Sequence, residues 1–309
     1  MKKLVLESTA PFQGLPELVA HDEGLFEKEG LHVEFVDRDA GAPKKTTAVD
    51  VISPQGLDPF TSHGRLFEQG QADMYNACEW GNYCRVQETG VKSRQLGRRA
   101  IIAYGAIVVQ PGSAVYTPQQ LANRRVGVPF YFGTHYLALQ LLEGFVPREA
   151  INVCSAPNGS RPRLASLLKG EVDATTLTEP YITLAEKKGC RAICAAFFHG
   201  TEVGSERVDA ETYAAFSRAV REAVRRIDAD KRAYLHYFID YHRDDPEIAA
   251  LTVDDLRESR LLVCDPAPIP LDEMQRTFEW LKSWGMLDRT ASPVDLVDLD
   301  VQREAHAAL

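Results

Sequence analysis

Five short segments of this chain place polar or titratable side chains at turns and helix starts, where they could do chemistry. His63 and Arg65 lie two residues apart, an imidazole for acid/base work beside a guanidinium that could clamp an anion. Cys78-Glu79-Trp80 sets a thiol, a carboxylate and an indole in a row. A thiol at an exposed helix start would have a lowered pKa, as a nucleophile needs, with Glu79 as nucleophile or second base and Trp80 as a stacking face. Gly133-Thr134-His135 opens an apolar helix, whose free N–H groups and positive dipole end would seat a carboxylate or sulfonate. Asn158-Gly159-Ser160 leads into Arg161-Pro162-Arg163. One of these two arginines could clamp an anion, and Arg161 is taken with Arg65 as the pair. Thr178-Glu179 closes the set, with Ser8, Thr9 and Asn76 at other strand ends and Tyr104 within a long apolar stretch. Each has a plainer alternative: a capped helix with no ligand, a core indole, a surface histidine.

The elements that must position these residues can be read from periodicity and punctuation. Leu4 to Glu7 and Leu31 to Val36 are strands, and Leu15 to Asp22 is a helix ended by Gly24. Asp37 to Ser62 carries Gly41, Pro43, Pro54, Gly56 and Pro59 with little periodicity. A loop of that length is more often functional than neutral. Ala72 to Asn76 is a third strand and Ala77 to Val86 a helix. The apolar stretch Leu96 to Val109, broken near Tyr104-Gly105, is expected to cross from the first domain into the second. From Thr117 to Gly189, strand, helix, strand, helix follow at the spacing of an α/β layer with a parallel sheet. In such sheets ligands sit where strands end and helices begin. Asp209 to His242 carries Phe216, Val220, Val224, Ile227, Tyr234 and Phe238 on one helical stripe, and the tail from Met286 reads as irregular.

Length and composition bound the function. A chain of 309 residues holds about two domains at ~150 residues each. Net charge is −9 with no basic run beyond Arg94 to Arg99, read as a solvated connection, which argues against a nucleic-acid partner. No apolar run approaches the ~18 residues of a membrane span. Leu4-Val5-Leu6 follows Met1 almost at once, so the expected compartment is the cytoplasm, or the periplasm if a leader has been removed. Of the six cysteines, Cys190 and Cys194 have no second pair to complete a metal site. No metal and no cofactor are expected.

Four segments together resemble the type II periplasmic binding proteins, in the branch of nitrate, sulfonate and taurine importer components. They are Glu23-Gly24-Leu25-Phe26 through Val33, Leu66 to Met74 with Gly70 and Asp73, Leu121 to Val128, and Leu167 to Pro180. The resemblance implies an α/β fold of two lobes, the second inserted in the first: residues 1–100 with 195–309, and residues 101–194, around a ligand cleft with hinge closure. It implies C-terminal helices packed on the first lobe. The branch also holds enzymes. A thiamine-pyrimidine synthase has a His where this chain has Gly81, and its cysteine-rich run is missing here. A hydroxybiphenyl sulfinate desulfinase has a long loop with a His and an Arg, similar to Asp58 through Arg65, but its cysteine nucleophile would fall near Ala10-Pro11.

Two functions follow as expectations. One is a cytoplasmic lyase or hydrolase cleaving a C–S or C–C bond of a small anionic, aromatic compound, with His63 as acid/base, Arg65 and Arg161 as clamps, and Cys78 or Glu79 as nucleophile or second base. The other is the substrate-binding component of an importer for nitrate, sulfonate, taurine-like or other small organic ligands. The partner is a small molecule in both, and the chain a monomer or homodimer.

Overall fold

The computed structural model describes residues 1–38, 63–89 and 93–309; most of the expected 37–62 loop lies outside them. In chain order the strands are β1 (Lys2–Glu7), β2 (Leu31–Val36), β3 (Met74–Cys78), β4 (Ser93–Arg98), β5 (Ile101–Val109), β6 (Val126–Val128), β7 (Val153–Ser155), β8 (Ala174–Thr178), β9 (Arg191–Phe198), β10 (Gly200–Ser205) and β11 (Leu262–Val263). The helices that concern the site are α1 (Pro11–Asp22), α2 (Leu25–Lys28), α3 (Arg65–Glu68), α4 (Glu79–Thr89), α5 (Gly133–Glu143), α6 (Ser160–Leu168), α7 (Tyr181–Lys187), α8 (Ala210–Ala229), α9 (Lys231–Tyr234), α10 (His236–Asp240), α11 (Pro246–Ala249) and α12 (Leu271–Ser283).

Two sheets organise the chain. The first has the order β2-β1-β3-β10-β4, and the second β11-β5-β8-β6-β7 with β9 paired to β5. β1 runs parallel to β2 and β3, while β10 enters between β3 and β4 antiparallel to both. In the second sheet β6, β7 and β8 are mutually parallel, as expected, whereas β5 runs against β8 on one side and against β9 on the other. The chain first passes from one sheet to the other at Arg99-Ala100, between β4 and β5. Gly105 lies inside β5, where a Cβ would come within 2.5 Å of Leu137 Cδ2. The glycine makes room for α5 instead of breaking the strand. β9 stays in the second sheet through Phe198, and the chain returns to the first sheet at His199.

The first lobe buries Leu4, Leu6, Leu15, Val19 and Phe26 against Phe216, Val220, Val224 and Ile227 of α8, each worth about 1.5–3 kcal/mol. Asp209 caps α8 by accepting the Thr212 N–H at 2.9 Å. The expected helical region to His242 consists of α8, which ends at Asp230 (φ −150°), and short helical pieces after it. Leu235 and Phe238 of those pieces stay in the first lobe's core, whereas beyond α10 Ile248 and Leu251 bury in the second lobe's cluster with Leu164, Tyr181 and Ile182. The tail is partly helical, with Leu299–Ala307 capped by Asp298. A further cluster joins the lobes, packing Trp80, Tyr83 and Phe278 with Tyr136, Leu137 and Phe198. Arg94 to Arg99 is a strand and its end, with Arg98 and Arg99 buried, not a solvated connection. Among the described residues no helix is long and apolar enough to cross a membrane.

Candidate functional site

The strand ends of the two sheets face each other across a cavity of about 490 Å³, within the size range of small-molecule sites. From the first lobe, Phe12 and Gln13 of α1, Arg38 beyond β2, His63, and Cys78 at the end of β3 line it. From the second come Tyr131 through Thr134, Asn158 through Ser160, Arg163 and Thr178. Tyr241 and His242, between α10 and α11, close one side. The wall is aromatic, with Phe12, Tyr131, Phe132, Tyr136, Tyr181 and Phe198 all in it.

No Asp or Glu is among the described lining residues, whereas Arg38, Arg85 and Arg163 are. Arg85 is neutralised by Glu68, Nη2 to Oε2 at 2.6 Å. Arg163 is buried and bonded only to neutral groups. Its Nε donates to the Thr176 carbonyl at 2.8 Å, Nη1 to the Pro157 carbonyl at 3.2 Å and Nη2 to Ser160 Oγ at 3.2 Å. Burial pushes its pKa down to about 9, the sign of a desolvated cation without a compensating carboxylate. The remaining donors of its planar fork are available to the cavity. The first N–H groups of α5 and α6 have no intrahelical acceptor and no side-chain cap at either helix, so both positive ends point at the same space.

His63 is positioned by Glu7 at the end of β1. Glu7 Oε2 accepts the Gly64 N–H at 2.7 Å and Oε1 the Phe67 N–H at 2.9 Å, which fixes the turn into α3. Gly64 takes φ +89° there, a conformation that favours glycine. Burial first, then Arg38, Arg85 and Arg99, hold the His63 imidazole well below its ordinary pKa, so it is neutral. Its ring meets Phe132 of the other lobe edge-on at 6.1 Å. Cys78 is buried, and its Sγ accepts the Gly81 N–H at 3.2 Å. Burial pushes the thiol up to about 11. The lowered pKa expected of an exposed helix-start cysteine is therefore corrected: without exposure, desolvation outweighs the dipole.

His63, Cys78, Gly133, Thr134, Asn158 and Thr178 thus meet around one cavity. The other expected residues lie behind its wall. Glu79 is buried against Arg98 Nε at 3.2 Å and receives the Tyr83 hydroxyl at 3.3 Å. Arg65 donates Nη2 to the Arg38 carbonyl at 2.9 Å, and Ser8 Oγ accepts the Arg38 N–H at 3.1 Å. Thr9 donates to Asn76 Oδ1 at 3.2 Å, and Asn76 Nδ2 to both oxygens of Glu17. Trp80 stacks on Phe198 at 5.6 Å in the cluster between the lobes. Tyr104 packs on Phe197 at 5.1 Å. Glu179 is buried and paired with Arg260 Nη1 at 2.7 Å, so it is not a surface carboxylate.

His135 is buried, its imidazole pushed down to about 3 by burial, and its Nδ1 accepts the Tyr131 N–H at 3.0 Å. It supports Tyr131 in a left-handed conformation, φ +65°, at the cavity rim. Arg161 points outward to Asp245, Nε to Oδ2 at 3.2 Å, and Arg163 takes the inward place. Two residues apart on a helix are about 200° apart around its axis, so only one of the pair can face the cleft. The sequence reading missed Arg38, Phe12, Gln13, Tyr241 and His242, which no motif marks. Among the described residues no group of His, Cys, Asp and Glu could hold a metal ion.

No family model matches the chain, and no curated protein matches its sequence. Solved structures do resemble it over the whole length. The periplasmic aliphatic sulphonate binding protein SsuA from Escherichia coli is 14% identical with a TM-score of 0.70, covering 98% of this chain and 99% of that one. The desulfurization enzyme DszB, as a cysteine-to-serine mutant in complex with biphenyl-2-sulfinic acid, is 12% identical with a TM-score of 0.62, covering 100% of both. A Candida albicans protein that exhibits the generic periplasmic binding protein structural fold is 14% identical with a TM-score of 0.66, covering 100% of this chain and 95% of that one. At such identities the likeness establishes architecture alone: this chain has the two-lobed periplasmic-binding-protein fold, with the second lobe inserted in the first.

Proposed function

We propose that the cleft binds a small organic anion with an aromatic body, of the sulfonate, sulfinate or carboxylate class. The observation that carries this is the charge of the wall. In a chain of net charge −9, the described cavity lining holds arginines and no carboxylate, and Arg163 is desolvated without a counter-charge. A buried cation of this kind is costly unless a ligand completes it. The helix starts at Gly133 and Ser160 add donors for acid oxygens, and the aromatic wall supplies faces for a ring. The sulfonate ligand class of SsuA and the aryl sulfinate of the DszB complex are chemically of this kind. In this reading the lobes, assigned as residues 1–100 with 195–309 and residues 101–194, close on the ligand about the crossings near 100 and 199.

Binding is the better supported role. Cys78 is held as a thiol, and Glu79 is occupied by Arg98 outside the cavity, so among the described residues these two do not make an activated nucleophile. Turnover is retained as a second reading because neutral His63 and Cys78 share the cavity, which gives a base and a sulfur. Calorimetric titration with benzenesulfonate and benzenesulfinate tests both. Arg163→Gln is expected to weaken binding by about 30-fold, roughly 2 kcal/mol for a lost charge-assisted contact, with the fold checked by circular dichroism. Undiminished affinity in that variant would overturn the anion reading. Release of sulfite or ring product from the sulfinate would move the assignment to the enzyme.

A further inference from the structure

The cavity wall carries two cations from opposite lobes, and this bears on the ligand class within the anion-binding reading, on which the inference rests. Arg163 comes from α6 in the second lobe and Arg38 from the end of β2 in the first, and both line the same space. Arg38 is tethered at its backbone, its N–H bonded to Ser8 Oγ and its carbonyl receiving Arg65. Its side chain is half-buried, and its charge depresses the neighbouring imidazole of His63. Arg85 is matched by Glu68, Arg98 by Glu79 and Glu273, and Arg260 by Glu179 and Glu186, while buried Arg99, which does not line the cavity, feels the charges of Glu17 and Glu202. Among the described residues neither Arg38 nor Arg163 pairs with a carboxylate.

One acidic group can neutralise one of these cations. The other would then be closed into the cleft without a partner charge, an electrostatic penalty. A ligand with acidic groups at both ends removes that penalty. The same wall carries Phe12, Phe132, Tyr136 and Phe198, which suits a ring as spacer between the acidic groups. We infer that the ligand class of this cleft is an aromatic dianion, one acidic group held by Arg163 in the second lobe and the other by Arg38 in the first.

The full chain is titrated calorimetrically at neutral pH and fixed ionic strength with para-sulfobenzoate, its uncharged-amide analogue para-sulfobenzamide, and ortho-sulfobenzoate. Para-sulfobenzoate is expected to bind at least about tenfold more tightly than the amide of nearly the same shape. The ortho isomer, whose acidic groups point to the same side, gains less. In Arg38→Gln the para-sulfobenzoate and the amide are expected to bind alike. Equal affinity of the two para ligands for the unmodified chain, or a dianion preference that survives Arg38→Gln, would overturn the second acidic group and leave the single-anion reading intact. Failure of all three sulfonates to bind would overturn both.

Discussion

Glu17 and Glu202 are both buried under the cavity floor, with Arg99 beside them. Desolvation lifts the Glu17 pKa to about 7 against hydrogen bonds that lower it, and lifts Glu202 well above the usual range, where the charge of Glu17 adds to burial. Two carboxyls this close hold a proton between them. The folded state therefore keeps a proton that the unfolded chain releases near the ordinary value of 4.5. Its contribution is complete below about pH 4.5 and fades as pH rises toward about 7. Buried His135 and His199, pushed down to about 3 and about 4, act in the opposite direction, costing stability as pH falls below 6.5. Glu17→Gln isolates the carboxyl term: the variant should gain on the parent across that window by on the order of 2–3 kcal/mol. Denaturant melts at several pH values measure the difference, and a pH-independent offset would remove the shared proton. None of this was legible in the sequence, because Glu17 and Glu202 meet only when β10 enters between β3 and β4. The same reason separates Arg163 from Arg161. Both were visible as candidates, but the rotation of α6 relative to the cleft is set by packing on β8.

At the scale of elements, Gly133 matters more for its size than for its dipole. A Cβ there would lie 2.9 Å from both Cys78 Cβ and Phe198 Cε2, so the start of α5 touches β3 of the other lobe. Alanine improves most helices over glycine, yet Gly133→Ala should cost about 1–3 kcal/mol by forcing the lobes apart and weaken ligand binding in parallel. Thermal melts and titration read the two effects, and a stabilised variant would show that the contact is not tight. Helix starts were well marked, since caps, prolines and stop glycines are local signals. Gly105 shows the limit. A glycine inside an apolar run signals either a break or a close approach, and only the position of α5 distinguishes them.

For the molecule as a whole, ordered motifs were enough to read the two-lobed architecture, because strand–helix alternation and short connections leave few topologies. What holds the lobes at their outer rim was hidden. Trp280 Nε1 donates to Glu143 Oε2 at 2.6 Å, and Arg148 lies 4.2 Å over the Trp284 ring while donating to the Ser283 carbonyl at 3.0 Å. These contacts pin the end of α5 to α12, residues more than a hundred positions apart. Trp280→Phe cuts the bond to a charged acceptor, a loss of about 1.5–3 kcal/mol, and should raise the radius of gyration of the unliganded chain in solution scattering, with ligand restoring it. Unchanged scattering would show that the rim contact does not restrain the lobes.

The placement of Ile248 and Leu251 in the second lobe has a consequence for biosynthesis. When Phe198 leaves the ribosome every strand from β5 through β9 has been made, yet the residues that finish the apolar layer around Leu164, Tyr181 and Ile182 are still to be translated. The inserted lobe therefore waits, with that surface open, for a segment encoded after the chain has already returned to the first sheet. The core of the second lobe is thus completed by residues translated after its own strands.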